Sequence, residues 1–393
     1  MSRIFFATIC LIIYGSLYPW HFHARELTAN PIWILVHTWP SYSAAAQIKD
    51  IVINILLYTP LGLFGFLSLS HARRKAVQVA APIAIGFVLS FGIEILQLFD
   101  AGRDASALDV LTNTVGTGVG VLCGLLFESS FRRIRTGHSP LRYQQPSSLL
   151  LLVFLAAYQL SPFFPDYSVF NLQHKLIALI AVNEFSIRIC LLSLIEWLAV
   201  ARLVETATDP LWVSRIYLAM LMLIPAKMLI VGRSTNCAEL AGAALAYFVW
   251  RYGLQHSPRR AQVLAVLFTA LIIIRGLSPY QFTSAATPFS WIPFRALFDT
   301  DRVAAITIFL GKLFAYGTFV WLLRDSGWRM RYAAAGAAAT LGAIEVAQMF
   351  LPGRVPEITD PLIALFLAWI FWLVDDSRSV SATNLQPQSQ PML

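Results

Sequence analysis

Charge is scarce in this chain. Asp, Glu, Lys and Arg make up 13% of its 393 residues, against about 25% in soluble domains. So few charges cannot cover a water-facing surface, and a soluble globular protein is excluded. A basic, water-exposed domain is also absent, which excludes nucleic acid as a partner. The four cysteines, Cys10, Cys123, Cys190 and Cys237, lie in or beside apolar runs and form no CxxC pair. They support neither a disulfide framework nor a zinc site. His21, His23 and His37 lack HExxH spacing, so no metal is expected. No Walker loop, Gly-rich nucleotide fingerprint or Ser-His-Asp arrangement occurs, and no cofactor is implied. Alternating strands of about ten residues, the mark of a membrane β-barrel, are missing too.

What the chain has is apolar length. Hydrophobic residues reach 58% and the mean hydropathy is +0.66. Apolar runs of about 16–24 residues recur throughout, the length that crosses a hydrocarbon core of about 30 Å. The fold class expected is an all-α polytopic membrane protein with about twelve transmembrane helices. The spans are read at 4–20, 51–70, 76–99 and 107–127; at 148–164, 180–201, 212–231 and 236–253; and at 261–278, 303–323, 331–351 and 361–375. Arg3 before the first run resembles a signal peptide. The run ends Leu17-Tyr18-Pro19-Trp20 without a small-residue cleavage site, so a retained span is expected.

An internal repeat organises these spans. Each of the three Gly-Arg dipeptides is followed by an acid six residues after the arginine: Arg103 with Asp109, Arg233 with Glu239, Arg354 with Asp360. Each motif sits between two apolar runs, and the period is about 120–130 residues. A second landmark keeps the same order. The first span of each repeat ends Leu17-Tyr18-Pro19-Trp20, Leu160-Ser161-Pro162-Phe163 or Leu277-Ser278-Pro279-Tyr280; proline suits a helix exit because it cannot continue the hydrogen-bond ladder. The expected domains are therefore 1–145, 146–258 and 259–376, each a four-helix repeat, with a Ser/Gln/Pro-rich, disordered cytoplasmic tail at 377–393. An even number of spans per repeat makes the repeats parallel. With the N-terminus inside, the inner loops hold seventeen Lys and Arg and the outer segments ten. That bias places the protein in the cytoplasmic (inner) membrane with both termini cytoplasmic and the Gly-Arg motifs outside.

The first repeat is richest in polar residues. Glu94 and Gln97 share a helix face, as do Asp109 and Asn113. The Asp100–Ser106 connection between them folds the spans into a hairpin, bringing Glu94, Gln97, Arg103, Asp109 and Asn113 to one end, with Asn54 in reach from the second span. An ionisable residue in a span is costly and is a candidate for function; the alternative is an ion-pair network of Arg103 with Glu94 or Asp109 that only locks the hairpin. The third repeat echoes the set with Glu345, Gln348, Arg354 and Asp360, but Ala364 replaces the asparagine. The middle repeat keeps Arg233 and Glu239, with Ile224 and Lys227 in place of the Glu and Gln. Gly116, Gly120 and Gly124 form a small-residue stripe for helix packing, and Pro60 predicts a kink.

Residues 50–124 resemble the VanZ-like family of membrane proteins. The likeness rests on Asn54-Ile55-Leu56-Leu57-Tyr58-Thr59-Pro60-Leu61-Gly62, on Ser90 through Glu94 to Gln97, on Arg103, and on Asp109, Asn113 and Gly116. Residues 291–372 look like a weaker copy, with Lys312 and Thr318 in place of the Asn and Pro. The resemblance implies a cell-envelope protein and a role in resistance to teicoplanin, a lipid-tailed glycopeptide. A non-enzymatic site would bind membrane lipid, a cell-wall precursor lipid or a lipoglycopeptide, paired Arg and acids gripping its headgroup. The alternatives are a membrane-embedded enzyme with Glu94 as general base, or a transporter. No feature sets an oligomeric state.

Overall fold

A computed structural model describes residues 2–376 apart from 24–28, 40–43, 71, 73, 101–102, 104, 136–144 and 181–184. The tail expected at 377–393 and Gly102 lie outside the described residues. The chain divides into two compact units, 1–136 and 137–393. No strand occurs among the described residues.

The first unit contains α1 (Ser2–Leu17), α2 (Pro31–His37), α3 (Ala44–Ser68), α4 (Lys75–Gln97) and α5 (Ala107–Arg135). Helix α3 runs on through Pro60. Its packing against α5 is set by glycine. A Cβ on Gly120 would lie 2.0 Å from the Thr59 carbonyl oxygen, and one on Gly62 would lie 1.9 Å from that of Thr117. The two backbones are thus in direct contact, as small residues allow between membrane helices. A small core of Ile12, Leu17, Tyr58, Leu61 and Ile93 joins α1, α3 and α4.

The second unit contains α6 (Pro146–Leu160), α7 (Val169–Ile180), α8 (Ile187–Ala207), α9 (Val213–Leu221), α10 (Leu223–Ala226), α11 (Cys237–Tyr252), α12 (Arg260–Gly276), α13 (Arg295–Phe298), α14 (Arg302–Asp325), α15 (Met330–Gln348) and α16 (Thr359–Asp376). One core, with Leu155, Trp197, Phe268, Phe319 and Phe371 fully buried, runs through helices on both sides of residue 258. The end away from the Gly-Arg motifs is tied by charge. Arg202 forks onto Asp325 at 2.9 and 3.0 Å, and Asp375 receives Arg324 and the Ser147 hydroxyl. Such two-pronged guanidinium–carboxylate pairs fix geometry as well as charge.

Helix occupies all twelve expected ranges, with two differences. The sixth span starts at Ile187 rather than 180, and Val169–Ile180 is a separate amphipathic helix. The seventh is broken at Met222. Pro225 explains the break: it cannot donate to the Leu221 carbonyl, and its ring crowds that group. By length and composition, four helices among the described residues can cross a membrane: Asp50–Ser68, Lys75–Gln97, Ala107–Leu126 and Arg302–Asp325. Ser2–Leu17 and Pro146–Leu160 are shorter apolar helices.

Candidate functional site

Each Gly-Arg motif meets the exit of an apolar helix. In all three turns the X–Pro bond is cis and the next aromatic is left-handed: Trp20 at φ 60°, Phe163 at 67° and Tyr280 at 67°. The residue four after the proline donates its N–H to the carbonyl four before the motif arginine. These bonds are His23 to Phe99 at 2.9 Å, Asp166 to Leu229 at 2.7 Å and Thr283 to Phe350 at 2.8 Å. Where the motif glycine is described it needs its freedom of conformation, since Gly232 and Gly353 sit at φ 70° and 73°.

The arginine closes this junction. Arg103 donates from Nε (3.1 Å) and Nη2 (2.7 Å) to the Tyr18 carbonyl. Arg354 does the same to the Ser278 carbonyl, at 3.0 and 2.6 Å. The glutamine completes the clamp: Gln97 Nε2 donates to Ser16 O at 2.7 Å, and Gln348 Nε2 to Gly276 O at 2.9 Å. The last carbonyls of a helix have no intrahelical donors. Here a side-chain amide and a guanidinium supply them and add positive charge at the negative end of the helix dipole. Gln97, Arg103, Gln348 and Arg354 are thus engaged as clamps on α1 and α12.

The other expected residues form a separate polar centre between the helices. Asn54 Nδ2, from α3, donates to Asp109 Oδ1 at 2.9 Å and to Thr112 Oγ1 at 3.3 Å, both on α5. Asn113 Nδ2 donates to Ser90 Oγ on α4 at 2.9 Å. Glu94 is 3% exposed, and its Oε2 accepts the Ser106 N–H at 2.9 Å. The Asn113 Oδ1 atom is buried and takes no hydrogen bond.

The second unit builds the same frame around Glu345 and Asp360, with different donors. Glu345 Oε2 accepts the Glu357 N–H at 2.9 Å, as Glu94 accepts that of Ser106. Lys312 Nζ reaches Asp360 Oδ1 at 2.5 Å, the bond that Asn54 makes to Asp109. The Tyr316 hydroxyl donates to the other Asp360 oxygen. Just after α10 a second lysine–acid pair of this kind forms, Lys227 to Glu239 of α11 at 2.5 and 2.7 Å. Tyr316 and Glu357 were missed in the sequence. Tyr316 stands four residues after Lys312, as Tyr58 stands after Asn54, and that shared spacing was the available signal.

A glycine-packed helical membrane unit with a clamped first helix and an Asn–Asp polar centre defines the class of protein. Residues 5–128 match the family model described as VanZ/LLP1. Residues 5–128 thus form a VanZ-like family domain. Protein VanZ of Enterococcus faecium is 27% identical over 108 residues, which cover 28% of this chain and 58% of that relative. The match thus spans less than two thirds of the relative's length. No solved structure matches.

Proposed function

We propose that the chain crosses the cytoplasmic membrane twelve times as three parallel four-helix repeats, 1–145, 146–258 and 259–376, with both termini inside and the clamps on the outer face. The matching clamp geometry around Arg103 and Arg354 supports the repeat, and the loop charges support the orientation. In this arrangement the polar centre of the first repeat binds the polar headgroup of an amphiphile, either a lipid-linked cell-wall precursor or a lipid-tailed glycopeptide. The lipid-facing helices hold its apolar tail. The role is non-enzymatic and would give resistance of the teicoplanin type.

The observation carrying this reading is a polar centre buried between apolar helices with the Asn113 side-chain oxygen, Oδ1, unsatisfied. In hydrocarbon an unmade hydrogen bond costs several kcal/mol, and a headgroup hydroxyl or amide would supply the donor. The test expresses wild type and Asn113→Ala in a susceptible host at equal membrane levels. Protection by wild type alone, against a tailed but not a tail-less glycopeptide, is the expected result. Equal protection by both proteins would remove the site from the account, and altered envelope lipids in cells that express the protein would favour an enzyme.

A further inference from the structure

The middle motif arginine has left the clamp that its two counterparts form. Arg103 and Arg354 each spend Nε and Nη2 on the carbonyl just before the turn proline. The equivalent carbonyl in the middle turn belongs to Ser161. Arg233 instead sends Nη2 to Tyr158 O at 3.2 Å and lays its guanidinium over the Tyr158 ring at 5.0 Å. Its Nε is buried with no acceptor. A buried guanidinium N–H without an acceptor is costly, and in native proteins such a group calls for an explanation.

The surroundings are cationic. Tyr158 also lies within electrostatic reach of Arg275 and Glu196. Arg275 pairs with Glu196, and its side chain is 45% exposed. The neighbouring Ile274 carbonyl accepts the Tyr280 hydroxyl at 2.5 Å, and Arg188 stacks over the Tyr280 ring at 5.3 Å. Lys227 and Glu239 also lie here and neutralise each other, and Arg354 adds a further cation through its Nη2 bond to the Arg275 carbonyl at 3.3 Å. Among these residues each carboxylate is matched by a cation, while Arg233 and Arg188 rest on aromatic rings without one. The patch borders exposed apolar side chains, Ile187, Ile274 and Phe282, so it faces the environment that lipid tails occupy.

We propose that Arg233, with Arg275 and Arg188 at its rim, forms an anion site in the second unit that takes the phosphate group of an anionic lipid. Guanidinium groups suit this role because their planar fork matches phosphate oxygens, and a phosphate oxygen would give Arg233 Nε its missing acceptor. Loss of the clamp in the middle repeat then frees its arginine for a ligand. The inference stands apart from the polar centre of the first unit, and failure of the glycopeptide test would leave it intact.

The experiment uses the purified full-length chain in nanodiscs of phosphatidylcholine, with or without phosphatidylglycerol, and a further arm of phosphatidylcholine with inorganic phosphate. Phosphatidylglycerol is expected to raise the thermal midpoint of wild type. Arg233→Gln is expected to bind that lipid about tenfold more weakly, the loss of one charge-assisted hydrogen bond, and so to lose most of the rise. Arg188→Gln, at an exposed position, provides the same comparison if the first variant does not fold. An Arg233-dependent rise with inorganic phosphate would support the site and assign its anion to a soluble source. An undiminished phosphatidylglycerol response in both variants would overturn the proposal.

Discussion

Replacing Gly120 by alanine should force α3 and α5 apart, whereas the same change at Gly118, two residues away, should not. A Cβ at 120 would stand 2.0 Å from Thr59 O and 2.7 Å from Leu63 N, both backbone atoms that no rotamer change can remove. Restoring ordinary contact near 3.5 Å needs the helices to separate by roughly 1 Å or more. Overpacking of this kind costs about 1–3 kcal/mol, and rigid backbone on both sides argues for the upper part of that range. At 118 an added Cβ meets nothing within 4 Å. Gly118→Ala then carries only the helix-propensity gain of up to about 1 kcal/mol. Separation of α3 from α5 would also break the 2.9 Å bond from Asn54 to Asp109. The assay is thermal unfolding of both variants in one detergent, followed by intrinsic tryptophan fluorescence. A Gly120→Ala midpoint at or above that of Gly118→Ala would refute the backbone-contact argument.

Three further outcomes follow from the same geometry. Arg354→Lys should cost about 1–2 kcal/mol in unfolding measurements, because lysine cannot fork onto the Ser278 carbonyl; Arg233→Lys, which replaces a single bond to Tyr158 O, should cost less, and equal losses would contradict the clamp. Asn54→Lys should keep the unit folded, since Lys312 already makes the equivalent bond to Asp360. It should abolish glycopeptide protection by filling the polar centre from within, and retained protection would count against that site. In the α6–α7 connection, the Lys175 ammonium hydrogen-bonded to Asp166 holds its carboxyl below the usual range. A lowered folded-state pKa gives stability that is present above the ordinary aspartate value and lost as pH falls through the lowered one. The midpoint difference between wild type and Asp166→Asn should therefore be steady at neutral pH and close on acidification. A difference that grows on acidification would contradict this pairing.

Much of the fold was legible because apolar run length reports helices directly, and a helix lies within every expected range, although the sixth starts late and the seventh is broken. The Gly-Arg spacing likewise pointed to recurring geometry, and the main-chain bonds of His23, Asp166 and Thr283 recur at equivalent places. The arginine's partner was not legible. The sequence offered Glu94 or Asp109 as partners and gave no sign that Arg103 also forks onto Tyr18 O. A helix-end carbonyl has no side-chain signature, so only three-dimensional placement discloses it. The role of Lys312 was hidden for a related reason. It read as a departure from the family pattern, yet it preserves a donor to the α16 acid while exchanging an amide for an ammonium. Short helices such as α2 and α13 fell below the length at which periodicity is informative.

On the proposed function, the polar centre of the first unit holds an amphiphile's headgroup. Its most direct test is equilibrium binding of a lipid-tailed glycopeptide to the purified full-length chain and to Asn113→Ala, with each protein first shown to melt at a similar temperature. Binding should be about tenfold weaker in the variant, the loss of one buried hydrogen bond, with the tail-less drug binding neither protein. Equal affinity of the tailed drug for both proteins would contradict it.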